Sequence, residues 1–85
     1  MPLKDDFQKA SKDVWSLKTK PSNDELLNLY ALYKQATDGD VSGPKPGLLD
    51  LKGKAKYKAW GEMKGISKDE AMKKYVAAVK RLATA

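Results

Sequence analysis

Residues 38–50, Asp-Gly-Asp-Val-Ser-Gly-Pro-Lys-Pro-Gly-Leu-Leu-Asp, limit what this chain can fold into more than any other stretch. Three glycines and two prolines within thirteen residues exclude a helix there. On both sides the apolar residues recur with a helical period, and no alternation is long enough to read as a strand. Thirteen residues is a long connection for two packed helices. At about 3.3 Å per residue it can reach roughly 40 Å, whereas a helix of about 16 residues is only about 24 Å long. The chain can therefore cross back along a bundle before the next helix starts, which lets the second and third helices run parallel.

The flanking patterns predict four helices, over about 3–17, 22–37, 51–64 and 67–83, around the 38–50 loop. In the first, Leu3, Phe7, Ala10, Val14 and Leu17 form one narrow apolar stripe. Ser22-Asn23-Asp24-Glu25 reads as a capping box that opens the second, and Ser67-Lys68-Asp69-Glu70 as another that opens the fourth. Gly65 is placed to end the third in a left-handed conformation. Met72, Tyr75, Val76, Val79 and Leu82 make the stripe of the fourth helix. The predicted fold class is all-α, a four-helix bundle forming a single domain over 1–85.

Composition narrows the chemistry. The 85 residues include no cysteine and no histidine, so disulfides, Cys/His metal sites, Cys nucleophiles and His bases are all excluded. An enzyme would have to work with carboxylates, lysines and tyrosines, and neither a carboxylate pair nor a phosphate-binding loop supports one. The expectation is a non-catalytic protein with no metal and no cofactor. The first residues are acidic and lack a signal-peptide apolar run, and no stretch is long enough to span a bilayer, so the chain is expected to be soluble and cytoplasmic.

The charge is unevenly placed. Up to Leu49 there are seven basic and seven acidic residues, and after it ten and four, so the net +6 belongs to the C-terminal part. Such asymmetry points to an anionic partner or to a solvated basic face. Helical projection separates the two cases residue by residue. In the second helix Leu26, Leu27, Leu29, Tyr30, Leu32, Tyr33 and Ala36 span roughly 220° of the wheel, more than one core contact needs. Lys34 falls inside that arc, as either a lysine snorkelling over apolar surface or one facing an anion. In the third helix Lys52 and Lys56 share the side of Ala55, Ala59, Trp60 and Met63, whereas Lys54 and Lys58 point away and read as solvated. Lysines beside Tyr30, Tyr33, Tyr57 and Tyr75 suit a phosphate clamp with a stacking surface, although each tyrosine alone also reads as a core residue with its hydroxyl at the rim.

Tyr30-Ala-Leu-Tyr-Lys-Gln-Ala-Thr37 with Gly39-Asp40, then Lys45-Pro46-Gly47, Asp50, Lys52-Gly-Lys-Ala-Lys56, Ala59-Trp60, Lys64-Gly65 and Ser67-Lys68-Asp69-Glu70-Ala71-Met72 closely resemble the acyl-CoA-binding protein family. That resemblance implies an up-down-down-up bundle and a ligand set of Tyr30, Ala31, Leu32, Tyr33, Lys34, Lys52, Lys56 and Tyr75. By it, Lys34, Lys56 and the Tyr30 hydroxyl would hold the 3′-phosphate of coenzyme A. Tyr33 would face the adenine, Tyr75 would contact the nucleotide portion, and Lys52 would be a flanking cation. Leu26 and Leu27 would line an acyl groove. Tyr57 departs from the tryptophan common in the family, and Trp15 stands where relatives are often polar; it is left outside the set. The implied function is binding and intracellular transport or buffering of medium- to long-chain fatty acyl-CoA by a monomer. Contact with membranes would be at most transient, and no nucleic acid would be bound. The alternative from another class is a small basic helical module for nucleic acid, weakened by the presence of one arginine only.

Overall fold

The computed structural model describes residues 2–84. The expected domain limits, Met1 and Ala85, lie outside the described residues. Helix α1 spans Leu3–Asp13 and continues as a 3-10 turn, Val14–Ser16; α2 spans Asn23–Asp38, α3 Leu51–Gly61 and α4 Lys68–Thr84. No strand occurs among the described residues, and the fold is an all-α four-helix bundle.

Hydrogen bonds between elements fix the directions. Trp60 Nε1, near the end of α3, donates to the Gly39 carbonyl just past the end of α2 at 2.8 Å, so α2 and α3 run parallel. Gln35, late in α2, donates to the carbonyl of Ile66 before the start of α4 at 2.7 Å, so α4 runs back. Val14, Trp15 and Leu17, past the end of α1, share a recess with Leu26 and Leu29 in the first half of α2, which makes those two helices antiparallel. The result is up-down-down-up. The crossover loop returns along α3: Val41 lies beside Gly61, and the Tyr57 hydroxyl donates to the Gly43 carbonyl at 3.2 Å.

Local chemistry places the helix ends. Both halves of the Ser22–Glu25 capping box are formed. At α4 the Ser67 hydroxyl accepts from the Glu70 amide at 3.1 Å. Asp50 caps α3 by accepting from the Gly53 amide at 2.9 Å. A Cβ on residue 53 would lie 2.2 Å from that carboxylate, so glycine is what allows the cap to close. Two helices end earlier than the periodicity predicts. The 3-10 turn tightens the end of α1 and Leu17 is already extended, because the chain must leave toward Pro21. After Gly61, which has no side chain to pack, α3 loosens into three-residue turns and finishes at Gly65 with φ +94°.

The core lies among α1, α2 and α4: Phe7, Ala10, Leu29, Leu32, Ala36, Ala71, Tyr75, Ala78 and Val79. Its many alanines let the helix axes approach closely. Helix α3 packs on α2 and buries Trp60. The bundle is flat, 39 × 27 × 16 Å in its Cα extents, so ligand-sized space is found at the surface rather than in a sealed interior. No helix among the described residues is long and apolar enough to cross a membrane.

Candidate functional site

Two recesses of unlike chemistry meet along one wall made by Tyr30 and Lys56. The Lys56 ammonium lies 5.3 Å from the centre of the Tyr30 ring, a cation–π contact bridging α3 to α2.

The larger recess is a groove of about 1020 Å³. The end of α1 and the connection after it supply Val14, Trp15, Leu17 and Pro21; α2 supplies Leu26, Leu29, Tyr30 and Tyr33; Tyr75 comes from α4. Lys12, Lys18 and Lys20 contribute charge at its edge. The tyrosines are held by an aromatic group. Phe7 stacks on Tyr33 at 5.5 Å and meets Tyr75 edge-on at 5.1 Å between ring centres. Burial, and then the neighbouring Tyr33, push the Tyr75 hydroxyl above its ordinary pKa, so it acts as a neutral hydrogen-bonding group.

The smaller recess, about 260 Å³, lies between α2, α3 and the crossover loop. Lys34 and Lys56 bring two ammonium groups to it, Trp60 an indole face, and residues 42–44 and Pro46 the loop wall. Lys34 is ion-paired to Asp38 one turn along and sits 4.8 Å from the centre of the Trp60 ring. The hydrogen bond to Asp38 raises the Lys34 pKa and lowers that of the carboxyl. The lysine is thus held charged and aimed. Trp60 is fixed by its bond to the Gly39 carbonyl. The tyrosine that departs from the family pattern, Tyr57, uses its added hydroxyl to tie the loop wall at Gly43.

The structure therefore brings Tyr30, Tyr33, Lys34, Lys56 and Tyr75 to the two recesses. Ala31 and Leu32 do not line either one: their side chains are sealed at 0% and 3% exposure, because they share with Gln35 and Ala36 the face that α2 turns into the protein. Lys52 is exposed and also lines neither, since it precedes Lys56 by a full turn and stands beyond the wall. Leu26 lines the groove and Leu27 does not. Sequence reasoning left out Trp15 and Trp60. For Trp60 a signal existed, its position one turn after Lys56 on the same face. Trp15 is 88% exposed at the groove, brought there by the 3-10 turn that periodicity did not reveal.

Two residues of the tyrosine-rich motif do structural work. Gln35, 1% exposed, donates from Nε2 to Asp40 Oδ1 at 2.8 Å and to the Ile66 carbonyl at 2.7 Å. Both partners are acceptors, which fixes the orientation of the amide and leaves Gln35 Oε1 without a partner among the described residues. Asp40 also accepts from the Gly65 amide at 2.9 Å. Together these bonds clasp the start of the loop to the turn before α4.

Known proteins bear directly on this arrangement. A family model described as Acyl CoA binding protein matches residues 4–79. Acyl-CoA-binding protein homolog 1 of Caenorhabditis elegans is 60% identical over 76 residues, covering 89% of this chain and 88% of its own length. The crystal structure of Oryza sativa Acyl-CoA-Binding Protein 2 superposes with a TM-score of 0.93 at 40% identity, covering 98% of this chain and 92% of that one. The acyl-CoA-binding protein from Moniliophthora perniciosa gives 0.86 at 42% identity, covering 100% of this chain and 86% of that one.

Proposed function

Because this chain belongs to the acyl-CoA-binding protein family, we propose that its paired recesses hold the two halves of a fatty acyl-CoA, phosphate end in the small one and acyl chain in the groove. The protein binds acyl-CoA and does not transform it. The observation that carries the site assignment is the shared wall: Tyr30 and Lys56 belong to both recesses, so one ligand can run from the basic pocket into the apolar groove without a break. Lys34, Lys56 and the Tyr30 hydroxyl supply two cations and a donor for the 3′-phosphate. Tyr33, half exposed and backed by Phe7, offers the adenine a supported aromatic face. Tyr75 serves the junction with the groove. Ala31 and Leu32 act from behind by fixing the pitch of α2, and Lys52 acts through its field alone. In this reading the protein is a monomeric cytoplasmic carrier that transports or buffers medium- to long-chain acyl-CoA. The nucleic-acid alternative finds no support in the family match.

Burying about 12 methylenes at about 0.8 kcal/mol each is worth of order 10 kcal/mol before the cost of ordering the chain. The tail should therefore dominate affinity and the phosphate pocket selectivity. Calorimetry with palmitoyl-CoA, coenzyme A and palmitate separates the contributions. Palmitoyl-CoA is expected to bind several orders of magnitude more tightly than either part, and equal affinity for palmitoyl-CoA and coenzyme A would end the groove assignment.

A further inference from the structure

One ion pair forms among the described residues, and it falls on a lysine of the small recess: Lys34 with Asp38. Asp38 stands between the two motif segments, Tyr30–Thr37 and Gly39-Asp40, and belongs to neither. It is the last residue of α2. The end of a helix already carries partial negative charge, so a carboxylate there opposes the dipole, and lysine before acid is the less favourable order for a pair one turn apart. Both side chains are partly in solvent, where such a pair adds little to stability. Helix stability therefore does not account for Asp38.

Its bearing on the recess does. Asp38 lines no part of the recess, yet it holds one of the two ammonium groups that do. That ammonium is shared between the carboxylate and the Trp60 ring, 4.8 Å from its centre. An anion entering the recess meets Lys56, which has no carboxylate partner among the described residues, and Lys34 with its charge already partly neutralised. A phosphate monoester, close to doubly charged at neutral pH, outweighs one carboxylate in a contest for Lys34. The displaced carboxylate has a second cation within reach. Lys68, at the start of α4, comes to the same turn: its Cε lies 3.5 Å from where a Cβ on Gly39 would stand. Asp38 is held ionised chiefly by the hydrogen bond from Lys34, and the Lys68 charge adds to that effect.

We infer that Asp38 competes with the 3′-phosphate for Lys34 and passes toward Lys68 when the phosphate binds, so that it moderates the hold on the head group. The inference rests on the assignment of the small recess to that phosphate. As the phosphate leaves, the carboxylate returns to Lys34 and offsets part of the lost attraction, which eases release of the cargo.

The test is calorimetry at low salt with coenzyme A and 3′-dephospho-coenzyme A, which differ only in the contested group. The wild type should prefer coenzyme A by at least about tenfold. Asp38→Asn should bind coenzyme A about fivefold more tightly, bind the dephospho form within about twofold of the wild type, and melt within about 3 °C of it. Lys68→Gln should weaken coenzyme A by about twofold to threefold, and that loss should shrink beside Asp38→Asn. A wild type that binds the two ligands alike would overturn the phosphate assignment and the inference with it. With the wild-type preference intact, unchanged or weaker coenzyme A binding by Asp38→Asn overturns the inference alone, since the carboxylate would then be inert or would serve to position Lys34. An equal loss from Lys68→Gln in both backgrounds would overturn the exchange.

Discussion

The two ends of this bundle are held by different kinds of contact. At the end where α2 and α3 finish and α4 begins, hydrogen bonds join residues far apart in sequence: Gln35 to Ile66, Asp40 to Gly65, Trp60 to Gly39. At the other end the side-chain caps are local, Ser22 with Glu25 and Asp50 with Gly53. There the apolar side chains reach solvent and the groove opens. Long-range ties resist separation of the helices, whereas a cap holds only its own turn. The clasped end therefore resists local opening more than the other, and the open end is left free to accommodate a ligand.

Breaking the clasp should have the largest effect. Gln35→Ala empties a sealed site and strips the Ile66 carbonyl of its donor, an expected loss of about 3 kcal/mol and of roughly 10–20 °C in melting temperature. Acyl-CoA affinity, measured well below the transition, should change little. A stable variant that had lost affinity instead would erase the distinction between the ends. Lys56→Ala should do the reverse, weakening acyl-CoA by about 2 kcal/mol, roughly thirtyfold in calorimetry, while the melting temperature of the free protein falls by only about 2–5 °C for the lost cation–π contact. Asp50→Ala removes one local cap, so about 1 kcal/mol of stability should go, well short of the clasp.

The smallest effect is the response to acid. Glu25, Asp38 and Asp40 are each held below the ordinary carboxyl range, chiefly by hydrogen bonds from the Ser22 amide, Lys34 and the Gly65 amide respectively. A depressed carboxyl means the unfolded chain takes up protons first. The stability these groups contribute is present above the carboxylate range and is lost as pH falls through it. Melting curves over that range should decline less steeply for Asp40→Asn than for the wild type. An identical slope would show that the clasp owes nothing to charge.

Much of this could be read along the chain. The glycine- and proline-rich crossover, the first capping box and the stripes of α1 and α4 express local rules, and the bundle follows from them. The site was legible where two signals coincided: Tyr30, Lys34 and Lys56 each combine a functional group with a position on an inward arc. Where one signal stood alone it divided badly. The arc on α2 was too wide for the residues the core needs, but its width could not say which members face inward, so Leu32 looked like Tyr30 and Tyr33, while Ala31, outside the arc, entered the set only through the resemblance. Gln35 and Asp40 share a motif with ligand-facing residues, and only the packing of α4 against α2 reveals them as a tie. Trp15 depended on a change of helical pitch at Val14, which hydrophobic periodicity does not record.

The placement of the two tryptophans has an optical consequence. Trp15 is in solvent beside the groove, while Trp60 is buried, hydrogen-bonded at its ring nitrogen and capped by the Lys34 ammonium. One indole thus emits from water and the other from an apolar, charged setting, and each is assigned to a different recess. Unlabelled protein accordingly carries two fluorophores in distinct surroundings. A Trp15→Phe variant isolates the one that watches the phosphate pocket, so filling of pocket and groove can be followed as separate events in time.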